Sequence, residues 1–294
     1  MTLNFKANPD VRSKQKTVVL VHGYTGSRRE WGKQGEALRE KNCRVVAFDL
    51  AGHGESVLNG SNKTSYLKDN ARILVSSITA MGVVNPQFVA HSMGALVFLE
   101  YAKLTIGTPL FPASSVLVAP ELGDPRYLGP GGLLSGSSLI ARARLNRFNN
   151  LVDNGQFEPA DDSLNATIRL FQALGPATMK TFGATDAAVS EFKQYLFRLR
   201  NLDPHARRVV MQAQIERGAE LRAQLTCKEI QLPNLLVLGG SVDLLMDAKK
   251  VATILNDSGV KYVQKIIPDA GHFIHLEQPE TFTNLLLNFL NISH

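Results

Sequence analysis

Residues 87–101 read Q-F-V-A-H-S-M-G-A-L-V-F-L-E-Y. They decide the fold because a short apolar strand turns into a helix here across one serine. Positions 87–90, following Pro86, are short and apolar, whereas 95–102 carries helical spacing. The chain must therefore reverse between His91 and Gly94. Small residues permit this: Ala90 and Gly94 stand two positions before and after Ser92, where bulk would clash as strand and helix pack together. The Ser92 hydroxyl is left exposed at a helix N-terminus, where backbone N–H groups and the positive dipole end can stabilise developing negative charge. An ordinary turn capped by serine fits the same string, so residues elsewhere in the chain must decide.

Upstream, 17–21 is a β-branched run of the kind that forms a buried central strand, and it leads into His22-Gly23-Tyr24-Thr25-Gly26-Ser27. The two glycines let backbone pass close to a ligand and point N–H groups at it, or simply make a turn before a helix over 29–40. A strand over 44–48 precedes the tight loop Asp49-Leu50-Ala51-Gly52-His53-Gly54-Glu55-Ser56. No carboxylate stands at an obvious spacing from His53, which reads as structural. Apolar residues Leu67, Ala71, Leu74, Val75 and Ile78 form one face of a helix over 65–81. A further strand is expected over 116–119. Strand and helix alternate throughout, which predicts a largely parallel sheet.

That alternation stops between 121 and 229. Residues 123–136 are rich in Gly and Pro, and helix-like segments follow over 164–180 and 187–224. A block of this kind between core strands reads as an inserted helical cap, 121–229, on a core formed by 1–120 and 230–294. Lys193, Arg198, Arg200, Arg207, Arg208, Arg217 and Arg222 make the cap basic; they read as a solvated helix surface before a site for an anionic substrate. Strands resume over 235–239 and 262–267, separated by a helix over 247–255. Asp243 falls just past the first of these strands, where ligand chemistry gathers in open α/β sheets. His272 lies in the loop P-D-A-G-H-F-I-H-L-E-Q-P-E before a terminal helix.

Composition narrows the classes. A chain of 294 residues, 44% hydrophobic and without low-complexity tracts, can bury a substantial core. Residues 1–16 have no apolar signal region and no run of about 18 apolar residues occurs, so a soluble, cytoplasmic protein with no membrane span is expected. Cys43 and Cys227 offer neither a disulfide framework nor zinc-ligand spacing. The net charge of +6 comes with no nucleic-acid-reading motif. Neither a metal, a cofactor nor a nucleic acid is expected.

A serine hydroxyl needs a base near neutrality and a carboxylate to hold that base in one tautomer. Ser92, Asp243 and His272 supply these types, each after an expected strand and beside glycine. In that chain order, and with H-G-Y-T-G, D-L-A-G-H-G-E-S, A-H-S-M-G, G-S-V-D and G-H-F-I-H-L-E-Q-P-E in succession, the sequence resembles the α/β-hydrolase family. The resemblance covers 17–118 and 235–294. It implies an α/β-hydrolase fold, a doubly wound and largely parallel sheet, with Ser92 as nucleophile, Asp243 as acid and His272 as base. It further implies an oxyanion hole formed by the backbone N–H groups of Tyr24 and Met93. Departures are Ala90 for the usual first glycine of the elbow, and an N-terminus too short for all leading strands, with 3–6 as one candidate. Glu121, after the 116–119 strand, is a competing acid.

Serine at position 92 argues against the aspartate-nucleophile dehalogenases and epoxide hydrolases that resemble this chain. Hydrolysis of a small-molecule carboxylic ester is the first expectation. A thioesterase or acyltransferase for CoA- or carrier-bound acyl groups is the second. A hydrolase-like ligand receptor is an alternative of another class. Acyl chain length, alcohol group and oligomeric state depend on cap packing and are not legible.

Overall fold

The computed structural model describes residues 5–7, 15–58, 60, 62–122, 176–177, 179–180, 183–232, 234–243 and 245–292. Seven strands form one sheet: β1 (Phe5–Ala7), β2 (Thr17–Val21), β3 (Arg44–Phe48), β4 (Gln87–His91), β5 (Ser114–Val118), β6 (Leu235–Gly240) and β7 (Tyr262–Ile267). Their order is β1-β3-β2-β4-β5-β6-β7. β1 is antiparallel to β3 and every other pair is parallel. The 3–6 candidate is thus an edge strand, displaced by one or two residues.

Helices cover both faces, which is why β2 to β6 are buried along their whole length and carry apolar stretches such as 18–21 and 45–48. Side chains alternate across each strand. Val19, Val21, Phe88 and Ala90 join the face under α2 (Tyr66–Ala80) and α3 (Gly94–Thr105). Val18, Leu20, Val89 and Val116 join the opposite face with Leu38 of α1 (Gly32–Glu40) and Phe282 of the C-terminal helix Pro279–Phe289.

The helical region over 187–224 is two helices, α4 (Asp186–Asn201) and α5 (Pro204–Thr226). Proline lacks the N–H that a continuing helix needs, and the residue before it is pushed out of helical geometry; Asp203 stands at φ −49°, ψ 129°. Its Oδ1 instead accepts from the Ala206 N–H at 2.9 Å and caps α5. α5 packs on α2, α3 and α6 (Ala248–Ser258). Packing reverses the reading of Arg207 and Arg217 as solvated: both are buried, and Arg217 pairs with the buried Glu100 of α3. The expected stretches 123–136 and most of 164–180 lie outside the described residues. Among the described residues no helix is long and apolar enough to cross a membrane.

Candidate active site

The sheet order reverses beside β2: β3 lies to one side and β4 to the other, so the crevice beyond their carboxyl ends is the topological switch point. Two loops meet there. At the end of β4, Ser92 has φ 51°, a left-handed conformation that a non-glycine residue adopts at some cost. Three backbone bonds hold it: its N–H donates to Val118 O (2.9 Å), and its carbonyl accepts from Ala95 N (2.9 Å) and Glu121 N (3.1 Å). The need for a small residue at 94 is visible in the packing. A Cβ on Gly94 would lie 2.7 Å from His22 O and 2.9 Å from Val21 O. Ser92 keeps partial exposure while His91 and Met93 are buried.

The loop after β2 approaches as closely. A Cβ on Gly23 would stand 2.9 Å from Ser92 Cβ. His22 fixes this loop: its Nδ1 donates to Gly23 O at 2.7 Å and its Nε2 accepts from Leu50 N at 2.9 Å, binding the end of β2 to the loop after β3. Burial lowers the His22 pKa, in keeping with this neutral tautomer. The turn closes through Gly26 N to Gly23 O (3.1 Å), with Thr25 at φ 64°. Tyr24 is buried, its hydroxyl donating to Arg207 O of α5 at 3.4 Å. His53 is buried as well, with Nδ1 3.0 Å from Ala51 O; desolvation takes its pKa to about 3, in agreement with the structural reading.

Beyond β6, Asp243 is buried and fully used. Oδ1 accepts from Leu245 N (2.7 Å) and Met246 N (3.0 Å), and Oδ2 stands 2.9 Å from His272 Nδ1. The carboxylate accepts, so Nδ1 carries the proton and Nε2 of a neutral His272 keeps its lone pair. Of the two acids in question, Asp243 is the one bonded to His272; Glu121 gives its backbone N–H to Ser92 O.

Glu277, quoted in the C-terminal motif without a role, brackets the histidine. It belongs to the short helix α7 (Ile274–Glu277) and accepts from Gly271 N at 2.6 Å and Phe273 N at 2.9 Å, the residues on either side of His272. Burial raises its pKa to about 7 against the pull of those two N–H groups. The available signal was its place one helical turn beyond the histidine loop. His91 donates from Nε2 to His272 O at 3.1 Å, holding the same loop from below. α4 packs on α7, with Tyr195 5.6 Å from Phe273 ring to ring. The Arg198 guanidinium lies 5.6 Å over that Phe273 ring, and its Nε and Nη2 are buried without a hydrogen-bond partner among the described residues.

The described site thus holds a partly exposed serine on a left-handed turn, a glycine loop packed against it, and an imidazole held by a buried carboxylate. The model of the alpha/beta hydrolase family matches residues 18–285, and the chain belongs to that family. Among curated proteins it is 26% identical over 276 residues to the dihydrolipoyllysine-residue acetyltransferase component of the acetoin cleaving system of Pseudomonas putida, covering 93% of this chain and 63% of that protein. It is 22% identical over 298 residues to the bifunctional epoxide hydrolase 2 of Sus scrofa, covering 93% of this chain and 51% of that one. The chain thus spans between half and two thirds of the length of these relatives. A solved hydrolase from Oleispira antarctica shares its fold with a TM-score of 0.68 and 19% identity, over 99% of this chain and 95% of that one.

Proposed function

We propose that the chain hydrolyses small-molecule carboxylic esters through an acyl-enzyme on Ser92, with 121–229 as a cap over the site. His272 Nε2 takes the Ser92 proton as Oγ attacks the ester carbonyl. The backbone N–H groups of Tyr24 and Met93 stabilise the oxyanion. His272 returns the proton to the departing alkoxide, then activates water to release the acid. The observation that carries this reading is the 2.9 Å contact of Asp243 Oδ2 with His272 Nδ1, since it leaves Nε2 free to act as a base. Serine at 92 supports an acyl-enzyme over the aspartyl-ester chemistry of epoxide hydrolases. Free thiols at Cys43 and Cys227 support a reducing, cytoplasmic setting.

The acetyltransferase relative favours a second reading, acyl transfer to or from a thioester. A panel of p-nitrophenyl esters and acyl thioesters of matched, graded chain length separates the two. Higher kcat/KM for the ester at every matched acyl group supports the ester hydrolase, and the reverse ranking the thioester reading. Stoichiometric acylation without turnover would leave a receptor.

A further inference from the structure

We propose that Glu30, His91 and His275 form a buried site for one divalent transition-metal ion of the zinc class, beneath the turn that carries Ser92. The three come from separate parts of the chain: Glu30 from the 3-10 turn Arg28–Trp31, His91 from the end of β4, and His275 from α7. Glu30 Oε1 stands 3.5 Å from His91 Nδ1 and 3.5 Å from His275 Nε2, and one ligand atom from each of the three residues lies within 4.8 Å of the other two. Their side chains are 7%, 1% and 0% exposed. Glu30 Oε1, His91 Nδ1 and both ring nitrogens of His275 have no hydrogen-bond partner among the described residues.

Proton counting leaves an acceptor facing an acceptor at this centre. A carbonyl oxygen only accepts, so His91 Nε2, 3.1 Å from His272 O, must carry that ring's proton. In the neutral ring Nδ1 is then a bare lone pair, without a hydrogen-bond partner among the described residues. It faces Glu30 Oε1, another acceptor. A ring lone pair and a carboxylate oxygen thus face each other 3.5 Å apart in a buried position, where unpaired groups are costly and a cation would bridge them.

The donor set of two imidazoles and a carboxylate suits zinc-class ions, and two ligands about 2.1 Å from a tetrahedral metal stand about 3.4 Å apart, close to the Glu30 spacings. The His91 Nε2 bond to His272 O is the outer hydrogen bond that commonly fixes a ligating imidazole. Glycines keep the neighbourhood open: a Cβ at Gly23 would stand 2.8 Å from His91 Nδ1, and one at Gly26 2.3 Å from Glu30 Oε2. An ion here touches no reacting atom. It ties the Ser92 turn and the His272 loop to one anchor.

The test uses the full chain after chelator treatment, refolded with Co2+ supplied so that the buried site can load. One equivalent should bind, with the visible ligand-field bands of four- or five-coordinate Co2+, displaceable by Zn2+, and the melting temperature should rise. Glu30→Gln and His275→Gln should each lower metal affinity at least about a hundredfold. X-ray absorption on the wild-type Zn2+ form should show nitrogen and oxygen scatterers only, which keeps the test decisive if the variants do not fold. Folded wild type that takes up no stoichiometric metal would overturn the proposal in favour of a shared proton or water. Uptake unchanged in both variants, or a sulfur scatterer, would overturn it in favour of a site elsewhere.

Discussion

Replacing Asp243 by asparagine should cost about ten-thousand-fold in kcat, about 5 kcal/mol, with little loss of stability. The side chain has two oxygens in different employment: Oδ1 accepts from Leu245 N and Met246 N, and Oδ2 faces His272 Nδ1. Asparagine must put its NH2 on one side. Placed toward Leu245 and Met246, it would set donor against donor and lose two hydrogen bonds, about 1 kcal/mol each before any penalty for unmet groups. The amide therefore turns its NH2 to His272, whose Nδ1 must then accept. The ring proton moves to Nε2, the atom that takes the Ser92 proton in the proposed mechanism. The fold keeps its contacts while the base sits in the wrong tautomer. Stopped-flow hydrolysis of a p-nitrophenyl ester gives kcat, and thermal melts by circular dichroism give stability; Glu121→Gln is the companion variant and should change kcat little. An Asp243→Asn enzyme within about tenfold of wild type, or a larger loss in Glu121→Gln, would refute this reasoning.

Glu277 gives a pH signature. Its folded-state pKa of about 7 lies above the reference value of 4.5, so its stabilising contribution is complete below about 4.5 and is lost as pH rises through about 7. Wild type should therefore lose stability relative to Glu277→Gln between pH 5 and pH 8 in urea melts; a constant difference would contradict this. Gly94→Ala should destabilise by about 1–3 kcal/mol, because its Cβ would press on the backbone oxygens of Val21 and His22 rather than on flexible side chains; an unchanged melting temperature would contradict it. Arg198→Met should lower kcat/KM about tenfold or more for esters carrying a carboxylate while sparing neutral isosteres, since its buried Nε and Nη2 have no acceptor among the described residues. Equal losses for both substrates would remove the anion-binding role.

The strands were legible to within a residue or two because a parallel sheet covered on both faces demands apolar runs, as in 18–21 and 45–48. Ser92, Asp243 and His272 were singled out for a related reason: each follows a strand, where this topology gathers ligand chemistry. Elsewhere the sequence underdetermined the result. The break before Pro204 was readable from Asp-Pro, but the apolar spacing continues through it. Arg217 belongs to a basic run indistinguishable from a solvated face until α5 packs on α3 and sets it against Glu100. Glu277 and the Glu30, His91 and His275 cluster depend on loop closure and on contacts between segments distant in the chain, which no local period encodes. The contact of Asp243 with His272 is equally non-local, and its part was inferred from order and residue type.

The most direct test of the serine mechanism is intact-mass and peptide mapping of the full chain after reaction with a fluorophosphonate. One adduct per chain, on Ser92, should form as esterase activity disappears, and it should be absent from Ser92→Ala and slowed severely in His272→Ala. An adduct on any other residue, or undiminished labelling of Ser92→Ala, would contradict the assignment of Ser92 as the nucleophile.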